Sequence, residues 1–331
     1  MTIFVTGSSG HLGEALMRTL KARKHAAIGL DKTAGLFTDA VGSIADRAFV
    51  RQHMTGARTV LHAATLHKPH VGTHAREAFI ETNVRGTLIL LEEAVAAGVE
   101  AFVFTSTTSA FGDALVPPPG QPAAWITEDV PGIPKNIYGA TKAAAEDLCQ
   151  LFYRNEGLAC VVLRTSRFFP EDDDSEAVRA AFAADNAKTN EFLFRRVDIE
   201  DVVSAHLAAA RQAPRLGFGK YIVSATTPFT PDDLAALRAD APGVVLARVP
   251  DYAAAYRRRG WRMFPSLDRV YVNAKARREL GWAPQWDFPR LVQQLRADQP
   301  LGSDLARLVG AKGYHEQAFA HGPYPLEPAR R

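Results

Sequence analysis

A chain of 331 residues with 39 basic and 36 acidic side chains, a formal net charge of +3, is long enough for a sizeable core and a second lobe. Its cations form no long run, which speaks against nucleic acid as a partner, and no apolar run reaches the roughly 18 residues that cross a bilayer. The apolar opening Ile3-Phe4-Val5 leads straight into glycines and not into a cleavage site, so the expectation is a soluble, cytoplasmic protein.

Thr2 to Thr6 is a short apolar strand, followed by Gly7-Ser8-Ser9-Gly10-His11-Leu12-Gly13 and a helical stretch from Glu14 to Lys24. Glycines at this spacing permit a tight turn and let N–H groups at a helix start approach a pyrophosphate. The third glycine allows the helix to pack closely on the strand. A second apolar strand, Ala26 to Leu30, ends at Asp31. That is about 20 residues beyond the glycines, where a carboxylate can take both ribose hydroxyls of an adenosine. Asp31 therefore argues for NAD and would repel the extra phosphate of NADP, while adjacent Lys32 keeps dual use open.

Arg58 to Leu61 reads as a strand, Glu77 to Ala97 as a helix ended by Gly98, and Ala101 to Thr105 as the next strand. Pro117-Pro118-Pro119-Gly120 is a loop, and Asn136 is placed to cap a helix carrying Tyr138 and Lys142. Cys149 in that helix and Cys160 in the following strand, Leu158 to Arg164, fit reduced core thiols better than a disulfide or metal framework. Asp201 to Arg211 is a helix and Lys220 to Ser224 a strand. Strands alternating with helices predict an α/β fold, a Rossmann-type doubly wound parallel sheet that binds ligands outside the carboxyl ends of its strands. Gly7, Asp31, Ala63, Ala64 and Thr105 to Thr107 should gather at that edge. The expected division is an NAD-binding core over 1–167, with 195–225 returning to it, and a smaller substrate lobe from 168–194 and 226–331. The acidic run Glu171-Asp172-Asp173-Asp174 reads as a solvated loop.

In a helix, residues four apart share a face, so Tyr138 and Lys142 set a phenol beside an ammonium. A free phenol ionises near pH ~10, and a neighbouring positive charge favours the phenolate. Tyr138 can then exchange a proton with a substrate hydroxyl.

With the glycine turn, Asp31, Asn83-Val84-Arg85-Gly86-Thr87, Phe104-Thr105-Ser106-Thr107, Tyr138-x-x-x-Lys142, Leu163-Arg164, Asp201-Val202 and Arg278-Glu279-Leu280-Gly281-Trp282 in this order, the chain resembles the extended short-chain dehydrogenase/reductase family. The likeness is greatest to its NAD-dependent epimerase/dehydratase branch, which includes UDP-glucose 4-epimerases. The resemblance implies NAD as cofactor and Thr107, Tyr138 and Lys142 as the catalytic group. Tyr138 is then the acid/base, Lys142 lowers its pKa and holds the nicotinamide ribose, and Thr107 bonds the reacting oxygen. It implies cofactor contacts from Gly7, Ser9, Gly10, His11, Leu12, Gly13, Asp31, Lys32, Ser43, Ile44, Ala63, Ala64, Asn83 and Thr105, with Ser43 replacing the family's usual Asp. It also implies a homodimer built on a four-helix interface from 87–97 and 140–152.

His62 sits one place from the family's histidine and is expected to be structural. His67, Lys68, His70 and His74 follow on the same edge; their expected role is substrate contact or a solvated loop, not a metal site. Arg167 and Phe194 stand where nucleotide-sugar epimerases carry an Asn and an Arg for the diphosphate and base region, so the UDP-binding wall is rebuilt or absent. Arg167, Arg195 and Arg196 are candidates to grip a carboxylate or phosphate. The expected substrate contacts are His67, Ser106, Arg167 and Arg196. Thr107 is followed by Thr108 and Ser109, where dehydratases of the branch place Asp-Glu, which disfavours water elimination. The expected function is oxidation of a secondary hydroxyl on a sugar or sugar-like molecule, with epimerisation leading. The alternatives are a net dehydrogenase of a non-nucleotide sugar, uronate or polyol, and a non-catalytic NAD-responsive binding protein.

Overall fold

The structure, a computed structural model, describes residues 2–313 together with 315, 319, 322, 324 and 325. Its nine strands are β1 Thr2–Thr6, β2 Ala27–Asp31, β3 Ala40–Val41, β4 Ala57–His62, β5 Ala101–Thr107, β6 Ala124–Ile126, β7 Cys160–Thr165, β8 Phe218–Val223 and β9 Arg269–Tyr271. Seven of them form one sheet in the order β3-β2-β1-β4-β5-β7-β8, and every neighbouring pair is parallel. The strands read as near-continuous apolar runs because helices cover both faces of such a sheet; β7 is buried at all six positions. One face packs Leu16, Val103, Val161 and Val203 beneath the helices His11–Ala22 and Ile199–Leu216, and the other packs Phe4, Leu90, Phe102 and Cys149 beneath Gly86–Ala96 and Ile137–Glu156. This is the doubly wound arrangement expected from the alternation.

A separate apolar core, with Phe192, Leu237, Tyr256, Phe264 and Phe288 among its members, belongs to the smaller lobe. It does not take everything after residue 226: Ala276, Leu280, Trp282 and Val309 pack against the main sheet's core. Trp282 donates its indole N–H to Ser204 at 2.9 Å, and the Asp201 carboxylate accepts the backbone N–H groups of Gln285 and Trp286, each at 2.8 Å. These bonds hold that segment on the helix Ile199–Leu216.

The expected helix over 77–97 is interrupted. It runs as α-helix over Arg76–Phe79, as a π turn over Ile80–Arg85 and as α-helix again over Gly86–Ala96. In the π turn the Asn83 carbonyl accepts the Thr87 hydroxyl at 2.7 Å, and the wider turn swings the Asn83 side chain inward. Among the described residues no helix is long and apolar enough to cross a membrane.

Candidate active site

The carboxyl ends of β1, β2, β4, β5 and β7 open onto one cleft of about 1030 Å³. Parallel register brings Thr6 opposite His62, and Thr107 opposite Thr165, so residues distant in sequence end at one edge.

The glycine turn forms one wall. Gly7 has φ +77°, and a Cβ there would lie 2.7 Å from the Ala64 nitrogen; a Cβ on Gly13 would lie 1.8 Å from the Gly7 carbonyl oxygen. The turn is thus folded tightly onto β4 while the helix His11–Ala22 starts at Gly10 with no side-chain cap on its N–H groups. Those donors are the ones an anionic pyrophosphate suits. At the tip of β2 the Asp31 carboxylate accepts the Ser9 N–H at 3.1 Å and the Thr33 N–H at 2.9 Å, which orients it over the turn. Lys32, Ser43, Ile44, Ala63, Ala64 and Thr105 line the same wall, so this half fits an adenine dinucleotide with a free ribose.

Thr107 and Tyr138 meet in the other half. Asn136 caps the helix Ile137–Glu156 by accepting the Gly139 N–H at 3.1 Å, which sets Tyr138 in the first turn beside the end of β5. Burial pushes the Tyr138 phenol up to about 12, and the nearby Thr107 hydroxyl draws it in the opposite direction. One turn on, Lys142 is only 2 % exposed, with Nζ 3.9 Å above the Phe104 ring. Burial brings its ammonium down to about 7, against the charges of Cys149 and Glu146. The helix spacing therefore puts the two groups on one face, but Thr107 and Tyr138 line the cleft together while Lys142 lies outside its lining.

Lys142 yields a stability prediction. Above about pH 7 the folded chain gives up this proton, whereas the unfolded chain keeps it up to the ordinary lysine value of 10.5. The unfolded state then binds more protons, so stability rises with pH across that window. Urea midpoints at pH 7 and pH 9 should show a rise in the wild-type chain that is smaller in Lys142→Met; equal slopes would refute the assignment.

Several expected contacts are engaged within the protein. Ser106 is among the cleft-lining residues, but its hydroxyl donates to Glu146 at 2.6 Å. Asn83 is 2 % exposed and bonds the backbone N–H and carbonyl of Leu66, at 2.9 and 2.8 Å, and the Thr141 hydroxyl at 3.0 Å. It shapes the Thr65–Leu66 loop instead of lining the cleft. His62 bridges the Thr6 and Thr87 hydroxyls at 2.8 and 3.0 Å and is structural, as expected. His67 does line the cleft, its ring 6.5 Å from Tyr138. No metal-binding group of His, Cys, Asp or Glu occurs among the described residues.

The arginines and the acidic run turn out to be one structure. Arg167 pairs with Asp173 at 2.7 Å and Glu191 at 3.3 Å, Arg195 with the same two acids, and Arg196 with Glu191 at 2.7 Å. Asp174 is engaged by Lys68, and burial opposed by that cation leaves it at about 2. The run is thus not a solvated loop but the counter-charge for the arginines. Arg167 and Arg195 reach the cleft already neutralised, and Arg196 faces away from it.

Sequence reasoning missed Glu146. It lies four residues beyond Lys142, fully buried, and binds Arg164 at 2.7 Å, Lys220 at 3.1 Å and the Ser106 hydroxyl. Burial alone would raise its pKa, but Arg164, Lys220 and Ser106 together hold it below the usual carboxylate value. The signal was the same helical spacing that pairs Tyr138 with Lys142, carried one step further.

The model of the NAD dependent epimerase/dehydratase family matches residues 3–221. UDP-glucose 4-epimerase of Rhizobium meliloti is 27 % identical over 325 residues, covering 88 % of this chain and 94 % of that protein. dTDP-glucose 4,6-dehydratase of Streptomyces antibioticus is 30 % identical over 329 residues, covering 87 % and 89 %. A short-chain dehydrogenase/reductase superfamily protein of Agrobacterium tumefaciens, solved with bound NAD, superposes with a TM-score of 0.63 at 23 % identity over 90 % of this chain and 98 % of that one.

Proposed function

As the chain belongs to the NAD dependent epimerase/dehydratase family and takes NAD as its cofactor, we propose that it oxidises a secondary hydroxyl of a sugar or sugar-like substrate and returns the hydride to the same molecule, an epimerisation. The observation that carries this reading is that Thr107, at the end of β5, and Tyr138, in the first turn of the helix Ile137–Glu156, line one cleft together with the wall that fits the dinucleotide. NAD, when bound, supplies the hydride acceptor. Thr107 holds the substrate oxygen while Tyr138 takes its proton as the carbon becomes a carbonyl. Return of the proton from Tyr138 and of the hydride to the opposite face of that carbon completes the inversion, leaving no net reduced cofactor. No carboxylate follows Thr107 in sequence, and buried Glu146 is fully engaged by Arg164 and Lys220, which supports inversion over loss of water.

One observation favours a second reading, a net dehydrogenase of a sugar without a nucleotide. Arg167 and Arg195 are already bound to Asp173 and Glu191, so they offer little free charge to a diphosphate. Incubation of the NAD-loaded protein with UDP-glucose, D-glucose and D-glucuronate separates the two. Conversion of UDP-glucose to its 4-epimer without accumulating NADH supports epimerisation, and stoichiometric NADH from a free sugar supports the dehydrogenase. Tight NAD binding with no turnover of any sugar or polyol would refute both in favour of a binding protein.

A further inference from the structure

We propose that Lys312 and Gly313 are an additional wall of the cofactor site, and that Lys312 and Glu171 set how slowly the dinucleotide leaves. The proposal rests on the reading that the cofactor occupies this cleft.

The helix Asp304–Val309 packs on the main core and ends at Gly310, whose φ of +61° turns the chain back toward the glycine turn. There the Lys312 N–H lies 3.2 Å from His11 Nε2 and 3.1 Å from Glu171 Oε1. The Gly313 N–H donates to the same carboxylate at 3.3 Å, and His11 Nε2 is 2.8 Å from it. The Lys312 ammonium binds Glu14, which burial would raise but which Lys312 and Arg18 hold below the usual carboxylate value. Three stretches of chain, the glycine-turn helix, the acidic run and the C-terminal segment, are thus clasped at one point above the turn.

His315 and Tyr324 stand at the opposite rim. His315 Nε2 donates to the Pro69 carbonyl at 3.0 Å, and its ring lies 5.3 Å from that of His70. Tyr324 is only 3 % exposed, lines the cleft and donates its hydroxyl to Asp174, the acid that holds Lys68. Lys312 and Gly313 line the cleft beside the glycine turn, where they would lie against a dinucleotide bound along it. An enzyme that hands its hydride back to the same substrate must keep the reduced cofactor through both half-reactions, and a cover of this kind lengthens that residence.

The test loads the full-length protein with NADH and follows loss of bound-NADH fluorescence after rapid mixing with excess NAD. In the Lys312→Ala/Glu171→Ala double variant, release should be about tenfold faster, with the change in affinity arising in the off-rate. If that variant does not fold, Lys312→Ala alone keeps the backbone bonds and should release NADH about threefold faster, one exposed-side ion pair having been removed. Release at the wild-type rate from a folded variant overturns the proposal while leaving the functional reading intact. A wild-type protein that binds no NADH overturns both.

Discussion

Tyr138→Phe should lower turnover of a confirmed substrate by about 10²–10⁴-fold, the usual contribution of a positioned acid/base. The ring of Tyr138 packs with Leu66 and Phe79, and phenylalanine preserves that packing, so the variant should fold and bind NAD with an affinity close to the wild type. The loss then falls on the chemical step, because only the phenolic hydroxyl is removed from the cleft lining. The pH dependence carries the same message. A phenol pushed up to about 12 makes a poor base at neutral pH, so substrate and cofactor must bring it down before it can accept a proton. Steady-state kinetics with NAD titrated by fluorescence decide the matter, and an unchanged kcat would remove Tyr138 from the catalytic role.

The second large effect lies beneath the site. Glu146→Ala should destabilise the fold by about 3–5 kcal/mol, since it strips the shared carboxylate from buried Arg164 and from Lys220 and leaves uncompensated charge inside the protein. The Ser106 hydroxyl loses its acceptor as well. Glu146→Leu combined with Arg164→Leu should recover much of the loss, because a buried pair replaced by apolar groups is often neutral in stability. Urea denaturation of the single and double variants measures both. A single variant as stable as the wild type would show that the pair contributes no net stability.

What was readable beforehand follows from distance along the chain. The glycine turn, Asp31 and the Tyr138 helix are local patterns, each needing a strand, a turn or a cap within a few residues, and they fold where expected. Ser106 and Asn83 lie on the expected elements, but their side-chain partners are remote in sequence. The Glu146 that engages Ser106 is 40 residues on, and the π turn that carries Asn83 has no evident marker in sequence. The acidic run misled for the same reason: Asp174 meets Lys68 across 106 residues, and without that partner four acids in a row suggest water. Arg196 likewise looked free until Glu191 was seen beneath it.

The clasp between Lys312 and Glu14 joins positions 298 residues apart and ties the chain beyond the helix Asp304–Val309 to the first helix. At a synthesis rate of about 5–20 residues per second, roughly 15–60 seconds separate their appearance at the ribosome. All seven strands of the main sheet have been made by residue 223, so the glycine turn can be in place well before Lys312 exists. On the proposed role of Lys312, the nascent protein passes through a stage with a formed but uncovered cleft, in which cofactor can be taken up before its cover has been made.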